Sequence, residues 1–195
     1  AYKREVMDHS RKIKQNFDSG LVKPSDSYQA ILGPSYKSGL PSEKEWLDFI
    51  SGIENSGTRE FAQVWREKSK AVNGVPLRRN FDFKTLVKYG QNLVICKRTE
   101  KGRWLTTYCG DTIVQEINLE LSNKYIDEYA DKETINFWMA NIQQITEQCK
   151  PVFEIFTLEF TAKHHKTNYS LNLPLRSGAD ESVDMFICHE FFLYL

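Results

Sequence analysis

Asn92-Leu-Val-Ile-Cys-Lys97, Arg103-Trp-Leu-Thr-Thr-Tyr-Cys-Gly-Asp111 and Val183-Asp-Met-Phe-Ile-Cys-His-Glu-Phe-Phe192 are the segments that decide the fold. The first two predict a pair of strands joined by a turn at Gly102. A helical region follows, from about residue 114 to 150, and three strands, of which the third segment is the last, complete the pattern. Runs of strands separated by helices favour an α+β fold with an antiparallel sheet, here of five strands.

The last predicted strand, residues 183–192, is apolar on both faces in its middle, which is typical of the centre of a sheet. We therefore expect it to be flanked by the first and the fourth predicted strands. The fourth, from Asn168 to Leu175, alternates apolar and polar residues, which predicts a strand with one buried face. Pro174 cannot donate to a strand ladder, so it should lie near a strand end or a sheet edge.

The longest predicted helix of this half runs from Lys132 to Cys149 and ends before Pro151. One apolar stripe follows its length at helical spacing. The members of the stripe are Ile135, Trp138, Met139, Ile142, Ile145 and Cys149. This stripe predicts that the helix covers one face of the sheet.

The chain divides into residues 1–41, rich in Gly, Pro and Ser and expected to form an arm or linker, residues 42–74, a helical extension, and residues 75–195, the sheet domain. Ser42 and Glu45 form a capping box that begins the first helix of the extension. An apolar stripe follows at helical spacing, and it consists of Trp46, Phe49, Ile50 and Ile53. The stripe is too apolar to face solvent, so it predicts packing on the sheet, a protein partner or a homodimer interface.

The composition excludes several classes of partner. Of 195 residues, 26 are Lys or Arg and 26 are Asp or Glu, so the net charge gives no electrostatic reason to expect nucleic acid. No run of eighteen apolar residues predicts a membrane span. The four cysteines form no Cys-x-x-Cys pair and lie in or beside apolar runs, which predicts reduced thiols in the core and a cytoplasmic protein.

Five short motifs between Phe61 and Phe192 occur in an order and spacing that resemble those of a known superfamily. They are Val64-Trp65-Arg66, Val75-Pro-Leu-Arg78 before Phe81-Asp82, Tyr108-Cys-Gly-Asp-Thr112, Gln148-Cys-Lys-Pro151 and Leu173-Pro-Leu175. With them the chain resembles the PAS superfamily, and more closely an alphaproteobacterial family of small, mostly single-domain PAS-like proteins. Asn123 and Lys150 stand where that family has glycine.

The resemblance implies a PAS-like five-stranded antiparallel sheet with helices on one face, preceded here by the N-terminal helical extension. It implies a sensory or regulatory role in signalling, with no established catalytic residues and no fixed cofactor. Residues that ligate haem or react with flavin are not identifiable in this sequence, and neither is any other cofactor.

The PAS-like fold places a ligand space between the inner face of the sheet and the helices that cover it. The candidate lining residues are Tyr108, Trp138, Met139, Ile142, Phe156, Leu173, Met185, Ile187 and His189. Such side chains predict a site for a small apolar or amphipathic molecule, or else a filled core. The strand register is open by one residue, and a shift by one residue turns each strand's side chains to the other face.

Catalytic and metal-binding patterns are not visible in the sequence. His164 and His165 lie in a polar, Lys-rich turn, which favours a solvated hairpin tip over a metal site. Cys188 and His189 are consecutive in a strand and point to opposite faces, so they cannot form a nucleophile pair, while a pair of Cys109 with His189 is left open. The sequence therefore favours a non-catalytic sensory module, with a small enzyme using the same pocket and a purely structural protein-interaction domain as alternatives.

Overall fold

The computed structural model describes residues 28–129, 132–160, 164–178 and 182–194. Its strands are β1 (Gln29–Leu32), β2 (Leu93–Arg98), β3 (Trp104–Cys109), β4 (Val152–Phe160), β5 (His164–Leu175) and β6 (Met185–Tyr194). Its α-helices are α1 (Glu43–Ser51), α2 (Ser56–Val72), α3 (Phe83–Tyr89), α4 (Asp111–Ile117) and α5 (Lys132–Thr146), with 3-10 turns at Arg78–Asn80, Gly90–Asn92 and Ile126–Glu128. Most of the predicted N-terminal arm, residues 1–27, lies outside the described residues.

The strands form one antiparallel sheet in the order β1-β4-β5-β6-β2-β3. The fold is therefore α+β, as predicted, but the sheet has six strands where five were expected. The additional strand is β1, which comes from the predicted arm and pairs with β4 through Ile31 opposite Phe153. A strand of four residues at a sheet edge leaves too short a pattern to be recognised in the sequence.

The predicted centre of the sheet is confirmed, because β6 lies between β5 and β2. Pro174 lies near the end of β5, as expected. The pairing of β5 with β4 ends at Asn172, so Pro174 pairs only with Phe186 of β6. Pro174 therefore lies beyond the part of β5 that is paired on both sides, where its missing N–H would interrupt the hydrogen bonds to a neighbouring strand.

Local backbone geometry agrees with several turn predictions. Gly102 has φ +78° in the β2–β3 hairpin, and Asn73 ends α2 in the left-handed conformation with φ 51°. Asn123 adopts φ 62°, a left-handed conformation that asparagine accepts more readily than most residues. After α5 it is Cys149, with φ 50°, that takes the left-handed conformation.

Gly110, at the end of β3, allows a close approach between two backbone segments. A Cβ atom at this position would lie 2.2 Å from the carbonyl oxygen of Gly90. The Gly110 N–H donates a hydrogen bond of 2.9 Å to the carbonyl oxygen of Leu93. Only glycine fits here without displacing the turn that leads into β2.

Helices cover both faces of the sheet, which corrects the expectation of helices on one face. The predicted capping box of α1 is present at Ser42 and Glu45. On this side α1 and α2 pack with the sheet in one apolar cluster, and its larger members from the extension are Trp46, Phe49, Ile50, Ile53, Phe61 and Trp65. The first four form the predicted partner interface, and they are buried within the chain, so they offer no exposed surface to a partner.

The opposite face of the sheet lies under α4, α5 and the segment between them. A second apolar cluster joins these helices to β2, β3 and β6, and it includes Ile113, Ile142, Ile145, Phe186 and Cys188. The sheet is thus the middle of three layers. The second of the two outer layers borders a sizeable cavity.

Candidate functional site

A cavity of about 170 Å³ lies between the helical layer of α4 and α5 and the sheet. Its helical side is mostly apolar and is formed by Ile113, Ile117, Leu119, Leu121, Ile126, Trp138, Ile142 and Ile145, together with Tyr129 and the polar Asn141. The sheet adds the apolar side chains of Val94, Cys96, Phe156, Phe186, Cys188 and Phe192. An apolar enclosure of this kind is the usual environment of a small-molecule site.

A row of polar side chains crosses the sheet at the floor of this cavity. Glu154 of β4 lies opposite Ser170 of β5, and Ser170 lies opposite Glu190 of β6. Asn168 and Asn172, two residues to either side of Ser170, point to the same face because side chains alternate along a strand. The strand register therefore places one carboxyl group on each side of the Ser170 hydroxyl group.

Glu154 is held by three donors. Its Oε2 accepts a hydrogen bond of 2.6 Å from Asn172 Nδ2. Its Oε1 accepts from Asn141 Nδ2 of α5 at 2.5 Å and from the Tyr28 hydroxyl at 3.1 Å. The carboxyl group thus connects the sheet, the covering helix and the segment that precedes β1.

Glu190 has two donors, both from β5. Asn168 Nδ2 donates to Oε2 and Ser170 Oγ donates to Oε1, each at 2.8 Å. Asn172 Nδ2 also lies 3.1 Å from Ser170 Oγ. The two carboxyl groups therefore belong to one hydrogen-bond network across the floor of the cavity.

Burial, together with the nearby charge of Glu190, raises the pKa of Glu154 to about 7, although hydrogen bonds from Tyr28 and Asn172 act to lower it. Burial likewise raises the pKa of Glu190 to about 7, although the hydrogen bonds from Asn168 and Ser170 act to lower it. No lysine, arginine or histidine lines the cavity within the described part of the chain. Each carboxyl group can consequently exist with or without its proton near neutral pH.

The remaining polar atoms of the cavity include one unpaired acceptor. Asn168 is 5% exposed, and its Oδ1 has no hydrogen-bond partner. The corresponding atom of Asn172 accepts from Cys188 Sγ at 2.9 Å. A buried acceptor without a donor is costly, so the Oδ1 of Asn168 is an unsatisfied acceptor in a residue that lines the cavity.

Three of the predicted lining residues, Trp138, Ile142 and Phe156, lie at the cavity. Tyr108 and Met139 do not, and they are 42% and 39% exposed. The Tyr108 hydroxyl donates to the carbonyl oxygen of Gly90 at 3.1 Å, outside the cavity. Met139 follows Trp138 directly, so it points about 100° away from it around α5.

Leu173, Met185, Ile187 and His189 lie on the opposite face of the sheet, which corrects their predicted place in the pocket. The first three belong to the cluster that packs with α1 and α2. His189 stacks on Phe61 of α2 with a centroid distance of 5.3 Å. The error is one of register: in β6 the even-numbered residues face the cavity, and the prediction chose the odd-numbered ones.

His189 is buried on the face of the sheet that packs with α1 and α2. Its Nδ1 lies 3.2 Å from Thr58 Oγ1, and the Thr58 hydroxyl also lies within donating distance of Asn55 Oδ1, at 3.0 Å. Donation from Thr58 to Asn55 requires the hydrogen on His189 Nδ1, since a hydroxyl has one hydrogen to give. Burial lowers the pKa of His189 to about 4, so the ring is neutral at pH 7.

Five functional candidates were missed in the sequence, namely Glu154, Asn168, Ser170, Asn172 and Glu190. The polar positions of β5 were interpreted as a solvent-facing side, whereas they face the cavity. One signal was present: a glutamate directly beside a run of apolar residues in each of two strands, Glu154 in β4 and Glu190 in β6. Buried charges of this kind occur at functional sites more often than elsewhere.

The described residues contain neither a metal-binding cluster of side chains nor a membrane-spanning helix. No group of three or more His, Cys, Asp or Glu side chains there is arranged to hold a metal ion. No helix in the described ranges combines the length and the apolar character needed to cross a membrane.

No protein-family model matches the chain, and no curated protein sequence matches it significantly. Among solved structures, the chain is similar to an RNA-binding Light-Oxygen-Voltage receptor, with a TM-score of 0.41 and 10% sequence identity. The match covers 85% of this chain and 39% of the receptor's chain.

Proposed function

We propose that this chain is a non-catalytic sensory or regulatory module that binds a small molecule in the cavity between α4, α5 and the sheet. The observation that carries the proposal is the cavity itself, about 170 Å³, mostly apolar on its helical side and polar along one row of the sheet. Binding sites for small molecules combine such an apolar enclosure with a few polar groups that orient the ligand. The ligand is accordingly small and amphipathic.

The finer assignment is to the PAS-like proteins, and within them to the alphaproteobacterial single-domain family. The order of the five sequence motifs supports it, and so does a sheet whose last strand lies between the first and fourth strands of the predicted set. With this assignment we propose a bacterial signalling protein of the cytoplasm that acts on a protein partner and binds neither nucleic acid nor a fixed cofactor.

A cavity-filling variant tests the proposal. Ile142→Phe adds volume inside the cavity, because Ile142 is buried and lines it. In a thermal-shift screen of small amphipathic compounds, we expect some to raise the Tm of the parent chain and to lose this effect in the variant. Met139→Phe is the matched control, since it adds the same ring to the same helix outside the cavity. Compounds that stabilise all three chains equally would refute binding in the cavity.

The two glutamates favour one alternative, a small enzyme in the same cavity. Carboxyl groups whose pKa lies near 7 are suited to proton transfer at neutral pH. Incubation with a metabolite mixture followed by mass spectrometry distinguishes the two functions. Products that disappear in Glu154→Gln or Glu190→Gln would establish the enzyme, and unchanged compounds that bind support the sensor. If nothing binds, a purely structural protein-interaction domain is the function that remains.

A further inference from the structure

We propose that the cavity selects a small organic cation, in which an ammonium or amidinium group is attached to a compact apolar body. This inference rests on the proposed function and names the chemical class of its ligand. It is carried by the polar row on the sheet, which holds two carboxyl groups and one unpaired amide oxygen, and by the mostly apolar wall that faces it.

The polar row offers acceptors to a ligand. A carboxylate has about four acceptor positions, and Glu190 uses two of them, for Asn168 and Ser170. Asn168 Oδ1, on the same amide that donates to Glu190, is buried and unpaired. A ligand that carries several N–H groups can donate to both residues at once, whereas a carboxylate or a phosphate would face the Glu190 carboxylate with a charge of the same sign.

The charge of the cavity points to the same class. The lining has two carboxyl groups and no cationic side chain among the described residues. The other titratable groups close to the carboxyl groups are thiols and phenols, which are neutral at pH 7, and burial raises the pKa of each one further: Tyr28, Cys96, Cys109, Tyr129 and Cys188. A bound cation supplies the opposite charge that the buried carboxylates otherwise lack.

The size and the apolar wall define the rest of the ligand. An engineered apolar cavity of about 150 Å³ holds benzene, so a cavity of about 170 Å³ accepts a body of roughly six to ten non-hydrogen atoms. Aromatic side chains, among them Trp138, Phe156 and Phe186, line this space. They suit an apolar body and also attract a nearby cation through their ring faces.

Isothermal titration of the full chain with three ligands of one shape tests the inference. Benzylamine is cationic, benzyl alcohol is neutral and benzoate is anionic at neutral pH. We expect benzylamine to bind at least about tenfold more tightly than the alcohol at pH 8, and benzoate not to bind. Because a carboxyl group of pKa near 7 loses its proton between pH 6 and 8, the affinity for benzylamine should rise about tenfold over that range.

Glu190→Gln removes the charge while it keeps the shape of the side chain. We expect it to reduce the preference for benzylamine and its pH dependence, since only Glu154 then carries a charge, and to leave the affinity for benzyl alcohol within about twofold. Glu147→Gln, at an exposed position after α5, is the matched control and should behave as the parent chain. The pH series on the parent chain decides the question even if Glu190→Gln fails to fold.

The outcomes separate this inference from the proposed function. Equal binding of benzylamine and benzyl alcohol, or stronger binding of benzoate, would overturn the cationic class and leave a small-molecule cavity in place. Absence of binding by all three, together with a negative thermal-shift screen, would overturn the proposed function as well.

Discussion

At the scale of residues, two kinds of buried titratable group lie on opposite faces of one sheet. Glu154 and Glu190 face the cavity, with pKa values raised from 4.5 to about 7. His189, the neighbour of Glu190 in β6, faces the layer of α1 and α2 with its pKa lowered from 6.5 to about 4. Burial favours the neutral form of all three groups. That form is the protonated one for a glutamate and the deprotonated one for a histidine, so a rise in pH changes their contributions to stability in opposite directions.

The sign of each effect follows from proton linkage. A carboxyl group with a raised native pKa contributes most stability below the unfolded value, and loses that contribution as the pH rises from about 4.5 to 7. His189 contributes fully above 6.5, and its contribution is lost as the pH falls towards 4. Between pH 5 and 6.5 the two carboxyl groups outweigh the single histidine.

We therefore expect the free energy of unfolding to decrease with rising pH between 5 and 6.5, by on the order of 1–2 kcal/mol. In the double variant Glu154→Gln/Glu190→Gln the histidine alone remains, so the slope should reverse and stability should increase over the same range. Urea unfolding at a series of pH values measures both slopes. A double variant with the parent slope would show that these carboxyl groups are not protonated near pH 6.

At the scale of elements, α1 and α2 act as the outer layer of the sheet rather than as an independent extension. They cover Phe153, Leu171, Leu173 and Ile187, which are fully buried. Arg66 of α2 is itself buried, and it donates to the Tyr36 hydroxyl and to the carbonyl oxygen of Pro41, each at 2.7 Å. These contacts join the helices to the segment that leads back to β1.

Deletion of residues 1–72 should therefore expose a continuous apolar face of the sheet. We expect the shortened chain to aggregate or to change its oligomeric state, because a large exposed apolar surface favours association between chains. Size-exclusion chromatography with light scattering compares it with the full chain. A monodisperse shortened chain with unchanged association would contradict this role for α1 and α2.

At the scale of the whole molecule, the sheet separates the packed layer of α1 and α2 from the layer of α4 and α5, which borders the cavity. Trp65 of α2 is fully buried, packs against Tyr36 and Trp46 at centroid distances of 4.8 and 6.0 Å, and donates from Nε1 to the carbonyl oxygen of Pro174 at 3.0 Å. Trp138 of α5 is only partly buried and borders the cavity. The same residue type thus occurs in two different packing environments.

This asymmetry predicts unequal costs for the same substitution. Trp65→Ala should destabilise the chain by about 3–5 kcal/mol, since it opens a new cavity in a close-packed layer. Trp138→Ala should cost clearly less, because it enlarges a space that already exists. Denaturant unfolding of the two variants under one condition makes the comparison. Equal losses would indicate that the layer of α5 is as tightly filled as that of α2.

The sequence by itself determined the type of most elements and the central place of the last strand. The capping box at Ser42, the turn at Gly102 and the left-handed Asn73 and Asn123 are local features, in which the residue type decides the backbone conformation. Central burial of β6 was also readable, because a strand that is apolar on both faces needs cover on both sides.

Tertiary structure alone decided which face each side chain occupies. Alternation with a period of two is satisfied equally well by two registers, and the choice depends on pairing partners far away in the chain. It also decided that Asn168 and Ser170 face a cavity rather than solvent, since a polar residue in an alternating strand fits both environments. The polar row of the candidate site therefore exists only once β4, β5 and β6 are paired, and that pairing places Glu154 and Glu190 on either side of Ser170.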